Sequence, residues 1–556
     1  MNEWISDFDN PFYEFAAILV LAAVLGMIGR LLKQPLIVMF IVLGILVGPS
    51  ALDIVKSEEN IHLLAEIGIA ILLFIVGLKL DLHIIKSIGK VALITGLGQV
   101  VFTSLFGYLI GISLGFSSLH SFYIAIALTF SSTIIIVKLL SDKKEIDSLH
   151  GQIAIGFLIV QDLVVILLMI VLTGMGQQEE LTLLESATKT ILSGAFMVAL
   201  VFVSMKWILP RLTFRLAKSQ ELLILFAIAW AVGLNALSEW LGFSGEVGAF
   251  LAGVTLTSSE FREVISNRLV SIRDFLLLFF FINLGVNIDL GIIGSQVPAA
   301  IIFSVFVLAG NPLIVLIIMG LLGYRKRTSF LAGLTVAQIS EFSLIFAGLG
   351  FSLGHLNQET LGLITLVGMI TIGLSTYLIL YSHHIYEFLS PALELFQKKN
   401  THRESEMDQV PEQSVDVIIM GNGRFGNSIS EILEQHENIN YLAIDFDPQI
   451  VRSWRSKGRN IMYGDLEDPE MLEHIPFQKA KCIINTLPDT EVSLHLVKEL
   501  KRRQYGGELY IIARHEKDKE IVSEYGPGHI LLPHQMVAST FYHSYLKDLL
   551  NIKNAE

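Results

Sequence analysis

The chain is poor in three things. It has a single cysteine, Cys482, which excludes an internal disulfide and any metal site built from cysteines. Only 16% of its 556 residues are charged against 53% that are hydrophobic, which excludes an ordinary soluble domain and points to a polytopic membrane protein. No basic tract of the kind that holds nucleic acid occurs, so no nucleic-acid partner is expected. The start, MNEWISDFDNPFYE, is acidic and lacks the basic region of a cleavable signal. The net charge of −13 says little about partners, because the charge is unevenly spread.

What is present divides the chain. From about Tyr13 to Tyr386 long apolar runs follow one another, and from Glu387 onward charges are dense and the runs short. This predicts a transmembrane domain over 1–386, a linker over 387–413 and a soluble domain over 414–556. Runs of spanning length predict thirteen helices: 13–31, 34–51, 61–79, 90–116, 119–141, 150–174, 184–209, 219–239, 242–258, 273–289, 297–323, 328–354 and 358–386. The odd-numbered connections carry basic clusters such as Arg325-Lys326-Arg327, while the even-numbered ones hold only Lys56 and Lys189. By the positive-inside rule the N-terminus is outside and the C-terminal domain cytoplasmic, which an odd helix count requires.

Two helices are interrupted by polar residues. The fifth holds Ser131-Ser132-Thr133, and the twelfth holds Gln338-Ile339-Ser340-Glu341. They are the fifth members of helices one to six and eight to thirteen, the pattern of an inverted repeat with broken helices and a midplane site. The alternative is that these hydroxyls bond back to their own helices. The sixth helix holds Gln161-Asp162 in the run 153–172. A carboxylate at the bilayer centre costs about 2.5 kcal/mol or more, so Asp162 reads as an ion or proton site. Taken out of water it can hold a proton or a dehydrated monovalent cation, but not both, and that exclusion is what an exchanger needs. A structural aspartate hydrogen-bonded between helices is the alternative.

Gln161 offers a neutral oxygen ligand, and Glu341 is either a second ligand or a balance for helix-end charge. Asn311, followed by Pro312, reads as a third local break. The candidate ion site therefore comprises Asp162, Gln161, Ser131, Ser132, Thr133, Glu341, Ser340 and Asn311, with K+ or Na+ as the substrate metal ion.

The segments AEIGIAILLFIVGLKLD (65–81), Gln161-Asp162, VGAFLAG (247–253), FFFINLGVNIDL (279–290) and AQISEFSLIF (337–346) resemble the Kef-type cation:proton antiporters of the second monovalent cation:proton antiporter family. The resemblance spans the membrane part and continues into the tail. It implies a bacterial inner-membrane homodimer, crossed broken helices five and twelve, and exchange of K+ or Na+ for H+ at Asp162, with an ancillary regulatory subunit as a further partner. The Gln-Asp pair is similar to the potassium-efflux branch. Relatives often carry a lysine in helix eleven where this chain has Asn311, which predicts one cation per proton and electroneutral exchange. The stretch after helix nine, SSEFREVISNRLVSIRD, is richer in arginine than the acidic regulatory loop of the glutathione-gated members, which argues against glutathione gating.

In the tail, Val415–Met420 reads as a buried strand running into Gly421-Asn422-Gly423-Arg424-Phe425-Gly426, then a helix pattern and a second strand ending at Asp445. This is GxGxxG in its strand–turn–helix context, with glycines that let a pyrophosphate approach and an acid for ribose hydroxyls. Strand-like runs at NIMYGD, KCIINTL, LYIIAR and HILLP complete about six strands of a Rossmann-like α/β domain. An empty scaffold is the alternative. The string resembles the TrkA-N/RCK-type regulatory domains of potassium channels and transporters, which implies that Gly421, Gly423, Arg424, Phe425, Gly426, Asp445 and Asp465 line a nucleotide: AMP, ADP, ATP or NAD(H). The expectation is a membrane all-α exchanger with a soluble Rossmann-like tail, a nucleotide-regulated K+/H+ antiporter and not an enzyme. A Na+/H+ antiporter, a ligand-gated channel (no TVGYG-like filter is present) and a membrane-anchored dehydrogenase are the alternatives.

Overall fold

The computed structural model describes residues 10–49, 51–79, 89–175, 193, 196, 197, 199–241, 243, 245–287, 290–397, 415–436, 438–466, 472, 475–487, 489–525 and 528–546. By packing, the chain forms two compact units. The first comprises Met1–Lys143, Ile153–Met319 and Ser329–Phe396; the second comprises Lys144–Gln152, Gly320–Thr328 and Gln397–Glu556.

The first unit is helical throughout. Among the described residues eight helices are long and apolar enough to cross a membrane, from Pro11–Leu31 to Gln358–Leu380. Four shorter apolar helices accompany them: Leu36–Val47, Ser118–Ala127, Gly245–Thr255 and Glu341–Ser352. Their apolar residues run all round because the outer face meets hydrocarbon. In Pro11–Leu31, for instance, Ile18 and Ala22 are buried while Val20, Val24 and Met27 face outward. The unit's core gathers around the fully buried Tyr123, Phe130, Phe303 and Phe346. Tyr123 also bonds His355 at 2.7 Å, fixing the start of helix five to the end of helix twelve.

Both expected interruptions are complete breaks. Helix five is two helices, Ser118–Ala127 and Thr133–Asp142, and helix twelve is Lys326–Leu334 and Glu341–Ser352. Other boundaries differ from the sequence reading. Helix ten begins at Arg262 rather than 273, so the arginine-rich stretch expected as a loop is helix. Ile265, Leu269, Arg273 and Leu276 are buried at helical spacing while Glu263, Asn267 and Arg268 face out, an amphipathic pattern that a count of apolar runs overlooks. The third break expected at Asn311-Pro312 does not form. A π-helical turn, Phe306–Gly310, absorbs the proline's missing donor and leads straight into the helix Asn311–Leu321. Helix thirteen ends at Leu380, and a separate helix, Ser382–Leu393, lies where the linker was expected to start. Most of the seventh helix expected at 184–209 lies outside the described residues; its described end is a π turn, Ser204–Ile208, followed by Leu209–Leu216.

The second unit contains a six-stranded parallel sheet with β1 (Val417–Met420), β2 (Tyr441–Asp445), β3 (Ile461–Tyr463), β4 (Cys482–Asn485), β5 (Glu508–Ile512) and β6 (His529–Leu531). Their order is β3-β2-β1-β4-β5-β6. Short strands of Ile, Leu and Met, buried on both faces, need this arrangement with helices covering the sheet. The direction of winding reverses between β1 and β4, and that switch point is where such folds take ligands.

Candidate ion site and nucleotide crevice

In the first unit the site is made by polar atoms that the two breaks release. At the fifth helix, the Ser132 hydroxyl accepts from the Ile135 N–H and caps Thr133–Asp142. The Ser131 N–H then has no helical partner and donates to Gln161 Oε1 at 3.0 Å. At the twelfth, Ser340 accepts from the Phe342 N–H, and the Ser343 hydroxyl reciprocates in a capping box. The thirteenth helix supports this second break: the Ile339 N–H donates to Thr371 Oγ1 at 3.3 Å, and Ser375 Oγ donates to Gln338 Oε1 at 2.8 Å. The breaks meet, with Ser131 Oγ donating to the Val336 carbonyl at 3.4 Å and Ser343 Oγ to the Phe130 carbonyl at 3.5 Å. Two helix N-termini and two C-termini are therefore brought to one place, each with its partial charge.

Asp162 stands beside them. Thr133 Oγ1 donates to its Oδ2 at 2.9 Å, while its Oδ1 is buried without a hydrogen-bond partner among the described residues. Glu341 Oε2 and Gln338 Nε2 are likewise buried and unpartnered, with Ser132 and Ser340 close to the Glu341 carboxyl. Buried polar atoms are almost always satisfied, so two carboxylate oxygens left open in one unit call for an explanation. A proton or a dehydrated monovalent cation satisfies them, and one occupant excludes the other.

Gln161 is held rather than open. Its Oε1 accepts from Ser131 and its Nε2 donates to Gln99 Oε1 at 2.7 Å. Gln99 in turn donates to Thr103 Oγ1 at 3.0 Å and to the Thr129 carbonyl at 3.1 Å. Thr103 donates to Asn311 Oδ1 at 2.8 Å, and Asn311 Nδ2 donates to the Leu128 carbonyl at 3.2 Å. The bonds of Asn311 thus run to the end of the first half of helix five and not to Asp162. Gln99, Thr103 and Thr129 escaped the sequence reading because uncharged polar residues hardly dent an apolar run. The one available signal was Gln99 and Thr103 at i, i+4, which puts both on one helix face. Outside this network, Arg273 pairs with the exposed Asp274 at 2.7 Å. Among the described residues no group of three His, Cys, Asp or Glu is arranged to hold a metal.

In the second unit the crevice is made mainly by backbone. Gly421 follows β1 with φ +83°, a conformation that favours glycine. A Cβ on Gly426 would lie 2.0 Å from the Gly421 carbonyl oxygen, so only glycine lets helix Arg424–Leu433 start so close to the strand. At Gly423, by contrast, a Cβ would meet nothing within 4 Å. This is the open approach that a phosphate needs at a helix N-terminus. Arg424 and Phe425 are exposed beside it.

Asp445, the last residue of β2, accepts from the Asn422 N–H at 2.6 Å and the Asp447 N–H at 2.9 Å. Burial pushes its carboxyl pKa above the usual aspartate range, and these amides oppose the shift. The Asn422 side-chain nitrogen, Nδ2, is buried without a hydrogen-bond partner among the described residues. An orphaned donor beside an open glycine fits a phosphate-bearing ligand. Asp465, two residues past β3, is held by Arg327, which the sequence reading had not connected with the crevice.

The chain matches the family described as sodium/hydrogen exchanger, transmembrane, over residues 17–380, and the TrkA-N domain over residues 417–533. It is similar to the putative cation/proton antiporter YbaL of Escherichia coli, with 28% identity over 537 residues, covering 94% of this chain and 95% of that protein. The iron transporter MagA of Paramagnetospirillum magneticum is 31% identical over 371 residues, covering 66% of this chain and 85% of MagA. The glutathione-regulated potassium-efflux system protein KefC of Klebsiella pneumoniae is 28% identical over 481 residues, covering 85% of this chain and 75% of KefC.

Proposed function

The chain belongs to the sodium/hydrogen exchanger family of membrane cation/proton antiporters, with a TrkA-N domain of Rossmann-like nucleotide-binding fold as its tail, and from that premise we propose that it exchanges K+ for H+. It is a transporter and not an enzyme. The observation that carries the proposal is the unpartnered Oδ1 of Asp162, buried beside two helix breaks while its other oxygen is held by Thr133. A proton and a potassium ion compete for that carboxylate, and alternating access turns the competition into exchange.

One cation moves per proton. By the resemblance to the Kef-type family, Asn311 stands where relatives often carry a lysine, and its neutral amide bonds Thr103 and the Leu128 carbonyl. No second mobile positive charge is therefore released during the cycle. Potassium is the favoured cation because the Gln161-Asp162 pair is similar to the potassium-efflux branch, and KefC is named as a potassium-efflux protein. Sodium in the same site is the second reading. The protein works as a homodimer in a bacterial inner membrane, N-terminus outside and tail in the cytoplasm. An adenine nucleotide in the crevice regulates it, with the unphosphorylated ribose of AMP, ADP, ATP or NAD(H) facing Asp445.

The test is flux in proteoliposomes with K+, Na+ or Rb+ on one side and a pH reporter on the other, comparing the wild type with Asp162→Asn. Proton-coupled K+ flux that survives clamping of the membrane potential is expected, and it disappears in the variant. Cation movement without a counter-moving proton would make the protein a channel, and a dependence on membrane potential would end the one-for-one stoichiometry.

A further inference from the structure

The second unit includes two segments that are, by chain connection, links between helices of the first: Lys144–Gln152 and Gly320–Thr328. Within that unit both bind acidic residues at the carboxyl ends of the strands. Arg327 Nη1 bonds Asp465 Oδ2, past β3. Lys144 Nζ lies 2.6 Å from Asp489 Oδ2, past β4, and Gln152 Nε2 donates to Asp447 Oδ1, past β2, at 3.0 Å. These three strand ends surround the Gly421 loop that follows β1. The Arg327–Asp465 pair is the most sheltered of the contacts, with side chains 7% and 21% exposed.

Covalent continuity gives these contacts a consequence. Arg327 is the second residue of Lys326–Leu334, the half-helix that runs into the break at 335–340. Lys144 follows Thr133–Asp142, and Gln152 is the fourth residue of Leu149–Met175, the helix that bears Gln161 and Asp162. Resting on the nucleotide-binding reading above, we propose that Arg327 is the resident cation of the crevice, which an entering adenine nucleotide displaces from Asp465. Donors on the nucleotide, its amino and ribose hydroxyl groups, need the same carboxylate oxygens that the guanidinium occupies. The displaced arginine gives up its bond to Asp465, one tie between 320–328 and the sheet, and the half-helix that follows it in the chain is held less firmly at its start. Coupling of this kind is reciprocal: whatever breaks the pair tightens nucleotide binding, and bound nucleotide weakens the pair. The unpartnered side-chain Nδ2 of Asn422, a residue 3% exposed in the adjacent loop, is the independent sign that this crevice awaits a ligand.

The test uses the full-length protein and AMP, ATP and NADH as probes, with affinity read by equilibrium binding and flux read in proteoliposomes. Arg327→Gln is expected to bind the active probe about fivefold tighter or more, and its flux no longer changes when that probe is added. Arg327→Lys keeps the charge without the planar fork; it restores the flux response with an intermediate affinity. Unchanged or weaker binding in Arg327→Gln, or a flux response equal to that of the wild type, overturns the proposal while leaving nucleotide regulation intact. A wild type that binds none of the three probes overturns the regulatory reading and the proposal with it. Should Arg327→Gln fail to assemble, the affinity of Arg327→Lys against the wild type decides, since no tightening there also overturns the displacement.

Discussion

The candidate ion site and the candidate nucleotide crevice are built in opposite ways. At the ion site the backbone is sacrificed: two helices break, and side chains such as Ser132, Ser340 and Gln161 tie down the released groups. That leaves one oxygen of Asp162 and one of Glu341 open among the described residues. In the crevice the backbone itself is the binding surface, set by Gly421 and Gly426, and the acidic side chains around it are already engaged by Arg327, Lys144 and Gln152. A bare proton or monovalent cation needs an unpaired charge in a place without water. A nucleotide brings its own charge and many polar atoms, and the crevice offers it a shaped surface whose acidic side chains are already bonded. The first is expected to be sensitive to one carboxylate, the second to one Cβ.

Four substitutions press on that contrast. Asp162→Asn has the largest expected effect, since it removes the carboxylate at which cation and proton are proposed to compete; proton-coupled flux is expected to fall to background while nucleotide binding persists. Gly426→Val is its counterpart in the other unit. Its side chain collides with the Gly421 carbonyl, an overpacking that costs about 1–3 kcal/mol, so nucleotide affinity is lost in equilibrium binding while basal flux continues. Loss of basal flux in a folded Gly426→Val protein would dissolve the separation of the two sites.

Gln99→Leu is smaller and sharper. It strands the buried Gln161 amide, at a cost of about 1–3 kcal/mol, and loosens the end of the half-helix without touching Asp162. Slower maximal exchange with little change in the apparent affinity for K+ is expected, whereas a shift in K+ affinity alone would make Gln161 a direct ligand.

Asp445→Asn is the smallest. Because burial raises the carboxyl pKa in the folded protein, the native state holds its proton to higher pH than the unfolded chain. Stability attributable to Asp445 therefore falls as pH rises from about pH 4 through the folded-state pKa, and stays lower above it. Thermal unfolding followed against pH should lose that component in Asp445→Asn. An unchanged profile would mean that the Asn422 and Asp447 amides offset the burial completely.

Much of this was legible in the residues, and what was not has physical reasons. Asp162 announced itself because a lone carboxylate among apolar residues is expensive in a bilayer. The breaks were visible for the same reason, as clusters of hydroxyl and amide groups at matching places. The six strands and the GxGxxG turn were legible because a parallel sheet buried on both faces requires short runs of Ile, Val and Leu, and the turn requires glycine at fixed spacing. The helix from Arg262 was missed because a half-polar face hides its period from a count of apolar runs. Asn311-Pro312 looked like a break because a proline's missing donor is visible in sequence, and the π turn that accommodates it is not.

The sequence alone determined the division into a membrane body and an α/β tail, the two interrupted helices, the carboxylate beside them and the glycine turn. Each follows from local chemistry: hydropathy, charge, hydroxyl clusters and backbone freedom. Only the tertiary structure decided that Gln161 is clamped between Ser131 and Gln99, that Asn311 supports a helix end, and that Arg327 rests on Asp465. Those partners lie between 30 and 208 residues apart. Contacts at such separations are chosen by packing across the fold, and no local pattern in the chain records them.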